Sequence, residues 1–247
     1  MPDMEVFTEE LLRWTVENAL LFSMIGNLLC LAPFLPIWSA TRKRNLPYQS
    51  GASPVKAALS VALSFIGLSL ILTFILNATG IGELFSYETV SEALAGGNAI
   101  VRILAVVIII PMVEELCFRG IILNRLLSWT KVWVAAIIQA VLFGVAHLNL
   151  VQGVYAFIVG LVFGLIYVRY RKLWLCIAGH MAFNLPSAII SLFPDVEADI
   201  SIWVLLISGV VLAVIGIYLL IKQPAAVPVE SPPEPVFPEP VTQEQPL

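Results

Sequence analysis

Glu114, Glu115 and Arg119 stand within an apolar run, residues 100–126, that is long enough to cross a bilayer. A charge at the centre of a membrane helix costs roughly 2.5–3.5 kcal/mol on insertion scales. Three such groups inside Pro111-Met112-Val113-Glu114-Glu115-Leu116-Cys117-Phe118-Arg119-Gly120 therefore need partners. Glu115 and Arg119 are four residues apart and can pair on one helix face. Glu114 is turned about 100° from Glu115 and is left over. In hydrocarbon it must be neutralised by a proton or meet partners on another helix.

The chain supplies candidates for that second role. Its only two histidines, His147 and His180, both lie in apolar segments, and Asn184 follows His180 by four residues, on the same helix face. At 1.5 Å of rise per residue, Glu114 lies about 18 Å from the cytosolic end of its span, His147 about 24 Å, His180 about 10 Å and Asn184 about 16 Å. Tilt covers that spread, so the four groups can share one layer around a common cavity. Pro111 strengthens the expectation. It removes an amide donor and clashes with the carbonyl of Val107, which predicts a kink just before Glu114. Pro186 is expected to act similarly just after Asn184, so that loosened helices border a hydrated pocket.

The chemistry these groups offer is hydrolysis. Glu114 can act as general base on a water that neutral His147 also holds. His180 and Asn184 can donate to a developing oxyanion. Glu115 and Arg119 would fix the helix face and lower the cost of burial. In a second version, Glu114, His147 and His180 are three ligands of a Zn²⁺ with water in the fourth place; spacing leaves both versions open. Each group also has a plain structural reading. Glu115–Arg119 can be a buried ion pair serving specificity, and a membrane histidine often bonds a backbone carbonyl. Cys117 reads as a small apolar filler and Phe143 as packing. Gly144, Gly160 and Gly164 read as sites of close helix contact, Asn149 and Gln152 as groups that satisfy a tight turn, and Trp129, Trp133 and Trp174 as an interfacial belt. It is the coincidence of Glu114, both histidines and Asn184 that structure alone accounts for poorly. There is no His-Glu-x-x-His and no Gly-x-Ser-x-Gly, and Asp3, Asp195 and Asp199 lie outside the spans, so zincin, serine-elbow and aspartyl-dyad chemistry are not available.

The elements that must position these residues follow from composition. Of 247 residues, 60% are hydrophobic and 12% charged, which marks a membrane protein. The acidic N-terminus lacks the basic region of a signal peptide. Cys30, Cys117 and Cys176 are too scattered for a disulfide framework. Residues 3–17 read as outside or interfacial, and seven spans are expected at about 16–39, 55–77, 100–126, 132–148, 151–168, 173–193 and 201–221. Within the polar loop 78–98, Thr89-Val90-Ser91-Glu92 reads as a capping box opening a short helix that Gly96-Gly97 stops. Arg42, Lys43, Arg44, Lys56, Arg125, Lys131, Arg169, Arg171, Lys172 and Lys222 all fall on one side of this arrangement. The positive-inside rule makes that side cytosolic, with the N-terminus outside and the C-terminus inside. The expected fold is an all-α polytopic bundle: N-terminal helices and outer loop over 1–98, a four-helix catalytic core over 99–193, a last transmembrane helix over 194–222, and a disordered Pro/Glu-rich tail over 223–247.

Glu114-Glu115-x-x-x-Arg119, then Phe143-x-x-x-His147, then His180-x-x-x-Asn184 resembles the CAAX protease and bacteriocin-processing family, also called the Abi or CPBP family. The resemblance covers about residues 99–193, and all three motifs occur in order on successive polar-faced helices. Members are multi-span membrane proteins similar to the eukaryotic endopeptidase that removes the last three residues of prenylated CAAX proteins. The resemblance implies that Glu114 and His147 activate water and that His180 and Asn184 bind the oxyanion. Both a metalloprotease and a metal-independent glutamate mechanism are held for the family, so the cofactor is either Zn²⁺ or none. The implied partners are a peptide or membrane-anchored protein substrate, lipidated or not, and the bilayer, with no nucleic acid. The compact form and the missing targeting sequence fit a bacterial cell membrane. The alternative expectation is a non-enzymatic membrane immunity or peptide-binding protein that uses the same polar pocket without cutting. A transporter with Glu114 as a proton site finds no supporting half-repeat.

Overall fold

The computed structural model describes residues 2–43, 48–81, 98–193 and 201–229. Eight helices follow in chain order among them: α1 (Pro2–Glu17), α2 (Ala19–Lys43), α3 (Pro54–Thr79), α4 (99–127), α5 (Val132–Ala146), α6 (Leu150–Tyr170), α7 (Leu173–Ile190) and α8 (Ile202–Ile221). The helix starts are written locally. Pro54 opens α3 without wasting a donor. Asn98 accepts from the amides of Ile100 and Val101 at the start of α4, and Asn149 accepts from the amide of Gln152 at the start of α6. Gly80, at φ 67°, closes α3 in the left-handed conformation.

The protein is an all-α membrane helix bundle. Among the described residues five helices are long and apolar enough to cross a bilayer: α2, α3, α6, α7 and α8. The other two expected spans differ from the simple picture. The fifteen residues of α5 give about 22 Å, short of a hydrocarbon core of about 30 Å. α4 is unbroken but changes register twice. Ala99–Arg102 is α-helical, Ile103–Ile109 is π-helical, Ile110–Glu115 is α-helical, Leu116–Leu123 is π-helical and Asn124–Leu127 is α-helical again. The first π segment ends two residues before Pro111, where a kink is expected. Residues expected to be merely interfacial form α1, whose Trp14 meets Phe22 of α2 edge-on at 5.6 Å between ring centres.

The core lies where α3, α6 and α7 meet. Phe65 of α3 stacks on Phe163 of α6 at 4.2 Å and meets Phe183 of α7 edge-on at 6.5 Å. Val61, Phe163 and Cys176 are fully buried there, and Leu220 of α8 joins them. The hydrophobic core thus draws on α3 and α8 as well as on α6 and α7. α8 lies along α3 at a distance that only glycines permit: a Cβ on Gly67 would sit 2.5 Å from the Gly209 carbonyl, and one on Gly216 would meet the Ser64 hydroxyl at 2.6 Å.

One end of the bundle gathers three connections that the charge pattern places on a single side. β1 (Tyr48–Ser50) pairs antiparallel with β2 (Ala226–Pro228). The Arg171 guanidinium stacks on Tyr48 at 4.5 Å, and Arg169 donates to the carbonyls of Ile221 and Gln223 at 3.2 and 3.3 Å. This corrects the reading of 223–247 as wholly disordered, because residues 226–228 are held by ladder bonds to a strand that the composition of the tail did not reveal. Residues 230–247 and the expected capping box at 89–92 lie outside the described residues.

Candidate active site

The site is built on the six-residue α-helical stretch Ile110–Glu115, held between the two π segments of α4. π-helical turns inside α-helices are frequent at functional sites, because the added residue changes which side chains face a neighbour. Glu115 is completely buried, and one oxygen, Oε1, accepts two bonds: from Arg119 Nη1 at 2.7 Å and from His180 Nδ1 at 2.9 Å. The expected Glu115–Arg119 pair is present, and its reach is wider than expected, since it also fixes the imidazole of α7. Arg119, equally buried, spends Nη2 on the Gly160 carbonyl of α6 at 3.0 Å, and its guanidinium carbon lies 4.4 Å from the centre of the Phe143 ring. One ion pair therefore ties α4, α5, α6 and α7 together.

With Nδ1 directed at Glu115, His180 turns Nε2 toward Glu114, whose Oε2 is 3.7 Å away. Glu115 already accepts from Arg119, so it serves His180 as acceptor and Nδ1 is the protonated nitrogen. The Glu114 side chain keeps 25% of its surface exposed, against none for Glu115. Adjacent carboxylates thus have different surroundings, one locked and one reachable.

His147 caps the C-terminus of α5. Its Nδ1 lies 2.7 Å from the Phe143 carbonyl, so Nδ1 donates and Nε2 is left as an acceptor. Its ring meets Phe143 edge-on at 4.9 Å, and Phe143 meets His180 at 5.9 Å. Phe143 is packing, as expected, but packing that spaces both histidines. Asn184, half-buried one turn beyond His180, donates from Nδ2 to the Val106 carbonyl of the first π segment at 2.9 Å. That bond engages one of its two N–H groups.

The zinc version asks Glu114, His147 and His180 to converge on one ion. Among the described residues no group of three His, Cys, Asp or Glu side chains is placed to hold a metal. No step below is routed through one. Cys176 is buried with Sγ 3.5 Å from the Phe163 carbonyl, a filler, and Cys117 is half-buried beside the site.

Sequence reasoning missed Gln139. It is fully buried in α5 and donates from Nε2 to the Gly160 carbonyl at 2.9 Å, the same oxygen that Arg119 uses. The signal was present: Gln139, Phe143 and His147 are spaced by four, a polar–aromatic–polar stripe on one helix face. Gly160 and Gly164 make the room. A Cβ at Gly160 would meet Phe143 at 2.9 Å, and one at Gly164 would meet Gln139 Nε2 at 2.8 Å. Arg102 was also passed over; it donates from Nη1 to the carbonyl and the hydroxyl of Ser191, at 3.0 and 3.1 Å, and so joins α4 to the end of α7.

Comparison with known proteins finds similarity over the segment that carries these residues. Residues 96–186 match the family model described as type II CAAX prenyl endopeptidase Rce1-like. A Bacillus subtilis protein named "Putative membrane peptidase YdiL" is 32% identical over 84 residues, 34% of this chain and 34% of that protein. An Escherichia coli protein described as "Uncharacterized 24.3 kDa protein" is 31% identical over 153 residues, 60% of this chain and 64% of that one. The chain thus spans about a third and under two thirds of these relatives' lengths. No solved structure matches. The matched segment contains Glu114, Glu115, Arg119, His147, His180 and Asn184, so the site lies within the part of the chain that is similar to the Rce1-like CAAX prenyl endopeptidases.

Proposed function

We propose that the protein is an intramembrane endopeptidase that hydrolyses a peptide bond of a membrane-associated peptide or protein. The observation that carries the reading is the division of labour between adjacent carboxylates. Glu115 is spent on Arg119 and on His180 Nδ1, while Glu114 faces His180 Nε2 at 3.7 Å and remains accessible.

In this reading Glu114 takes a proton from water, and the resulting hydroxide attacks the scissile carbonyl carbon. His147, with Nδ1 committed to the Phe143 carbonyl, offers the Nε2 lone pair to the other hydrogen of that water. As the carbonyl becomes an oxyanion, the second N–H of Asn184 donates to it, and so does His180 Nε2–H when the ring is an imidazolium. Collapse of the tetrahedral intermediate breaks the C–N bond, and Glu114 returns its proton to the leaving amine. Glu115 and Arg119 keep the His180 ring from rotating away.

The charge sorting supports a placement with the Tyr48–Arg171–Gln223 end of the bundle in the cytosol and the N-terminus outside, in a bacterial cell membrane like those of the organisms of the relatives named above. The substrate is then a peptide that enters the bilayer, with a lipid-modified one as the family description suggests. The test is cleavage of prenylated and unmodified peptide libraries by the protein in lipid nanodiscs, with and without a strong chelator. Glu114→Gln should lower the rate by about 10²–10⁴-fold, the range for loss of a general base, with the unfolding transition retained. Undiminished cleavage by a folded Glu114→Gln protein would remove the mechanism. Loss of cleavage on chelation, restored by zinc, would require the metal version instead.

A further inference from the structure

We propose that Pro111 is a positioning residue: by leaving the Val106 carbonyl without a main-chain donor, it creates the anchor that holds Asn184 one turn from His180. The inference rests on the hydrolase reading only for what Asn184 does once held.

The argument is one of hydrogen-bond accounting. A buried main-chain carbonyl almost always finds a donor. In the first π segment, bonds run from each amide to the carbonyl five residues back, and the amide of Ile110 accordingly donates to the Ala105 carbonyl. That bond takes away the donor that an α-helix would give to Val106. The next amide in the π register belongs to residue 111, a proline, which has none. Both main-chain routes to the Val106 oxygen are closed, and Asn184 Nδ2, 78 positions along the chain, meets it at 2.9 Å.

The π segment also bears on the other half of the site. Each extra residue in a π turn rotates the helix face that follows by about 100° relative to a continuous α-helix. Glu114 and Glu115 follow directly, so the register that orphans Val106 also turns Glu115 toward His180 and Glu114 beside it. The π segment thereby serves both sides of the site, while Pro111 itself acts through the contact between Val106 and Asn184. A second carbonyl of α4 is served in a related way: within the other π segment, Gly120 accepts from the Asn124 side chain at 3.0 Å. There the donor is local, four residues on.

The test is a double-mutant cycle with a spectroscopic arm. Pro111→Ala restores an amide donor next to the Val106 carbonyl, so Asn184 should lose its anchor. Cleavage by Pro111→Ala should fall roughly 10–100-fold, the range for a small misplacement of a catalytic group. Asn184→Ala should cost about 10²–10³-fold in kcat as the loss of an oxyanion donor. In the Asn184→Ala background Pro111→Ala should cost little more. Two effects that multiply would overturn the proposal. The second arm needs no activity. In protein labelled with ¹⁵N-asparagine, the Asn184 side-chain amide, identified by its loss in Asn184→Asp, should exchange slowly with solvent, and Pro111→Ala should speed that exchange. Fast exchange in the unaltered protein, or no response to Pro111→Ala, would overturn the proposal whether or not any peptide is cut. Absence of cleavage by the unaltered protein would count against the hydrolase reading alone.

Discussion

The α3–α8 contact and the α4–α7 contact both bring helices close inside a membrane, and they handle buried polar groups in opposite ways. In α3, Ser60 and Ser64 are buried, yet each hydroxyl donates to its own helix, to the carbonyls of Lys56 and Ser60 at 2.6 and 2.8 Å. The interface between α3 and α8 is made by absence of side chain, at Gly67, Gly209 and Gly216. In α4 and α7 the polar groups reach across: Glu115 to His180, Asn184 to Val106, Arg119 to Gly160. A polar group that its own helix satisfies leaves neighbours free to slide or repack. One that must be satisfied from another helix fixes the relative position of both, which is what a catalytic site requires.

The largest effect should come from breaking the cross-helix network at its centre. Arg119→Met leaves the Glu115 carboxylate buried with His180 as its remaining partner, and Glu115→Ala leaves the guanidinium with the Gly160 carbonyl alone. Removing one member of a buried ion pair costs about 3–5 kcal/mol, so either variant should unfold at a clearly lower temperature in detergent and lose cleavage. If Arg119→Met keeps the unaltered unfolding transition, the pair is not what holds the four helices together.

Next in size, a side chain added to the other interface should act on stability alone. Gly216→Val places atoms against Ser64 and the Ser60 carbonyl, a contact between backbones that cannot give way cheaply. Overpacking of this kind costs about 1–3 kcal/mol. The remaining folded fraction should cleave at the normal rate, measured as kcat per active protein. A specific loss of kcat would show that α3–α8 packing reaches the site and would blur the contrast drawn above.

How much of this was legible beforehand divides along the same line. Glu114, Glu115, Arg119, His147, His180 and Asn184 were named from type and spacing, as polar groups in apolar runs, whereas Gln139 in the same kind of setting was not. The boundaries of α3 and of α5 to α8 followed from hydropathy, to within a few residues, whereas the helix α1 was not foreseen. What spacing hid was the hydrogen-bond partner. Glu115 and Arg119 matched the i, i+4 rule, but that His180 shares the same carboxylate oxygen depends on how α7 crosses α4. The freed carbonyl was expected at Val107 from α-helical geometry, and the π register moves it to Val106. The strand pair between Tyr48–Ser50 and Ala226–Pro228 joins segments far apart in the chain, and neither has an alternating pattern long enough to read.

Smaller still is the effect expected of Gln139, the group the spacing offered and reasoning passed over. Gln139→Leu keeps the volume and removes one of two donors to the Gly160 carbonyl, while Arg119 continues to serve it. Hydrogen bonds between helices in membranes contribute about 0.6–2 kcal/mol, so the loss of stability should be modest. Because Gly160 positions Arg119, which positions Glu115 and His180, kcat should fall more than KM rises. A change confined to KM would place Gln139 outside the orienting chain.

The smallest effect belongs to Ser64→Ala, and it is the sharpest check on the comparison. Ser64 is as buried as most of the site residues, and an argument from burial alone would expect its loss to matter. Its hydroxyl, however, bonds only back along α3, and that bond competes with the helix it sits in. The Ser60 carbonyl keeps its place in the helix when the hydroxyl goes, and alanine is the better helix former by a few tenths of a kcal/mol. Stability should therefore change by less than about 0.5 kcal/mol, with cleavage unaltered. A loss as large as that of Gln139→Leu would mean that direction of bonding, local or across helices, does not separate scaffold from machinery in this bundle.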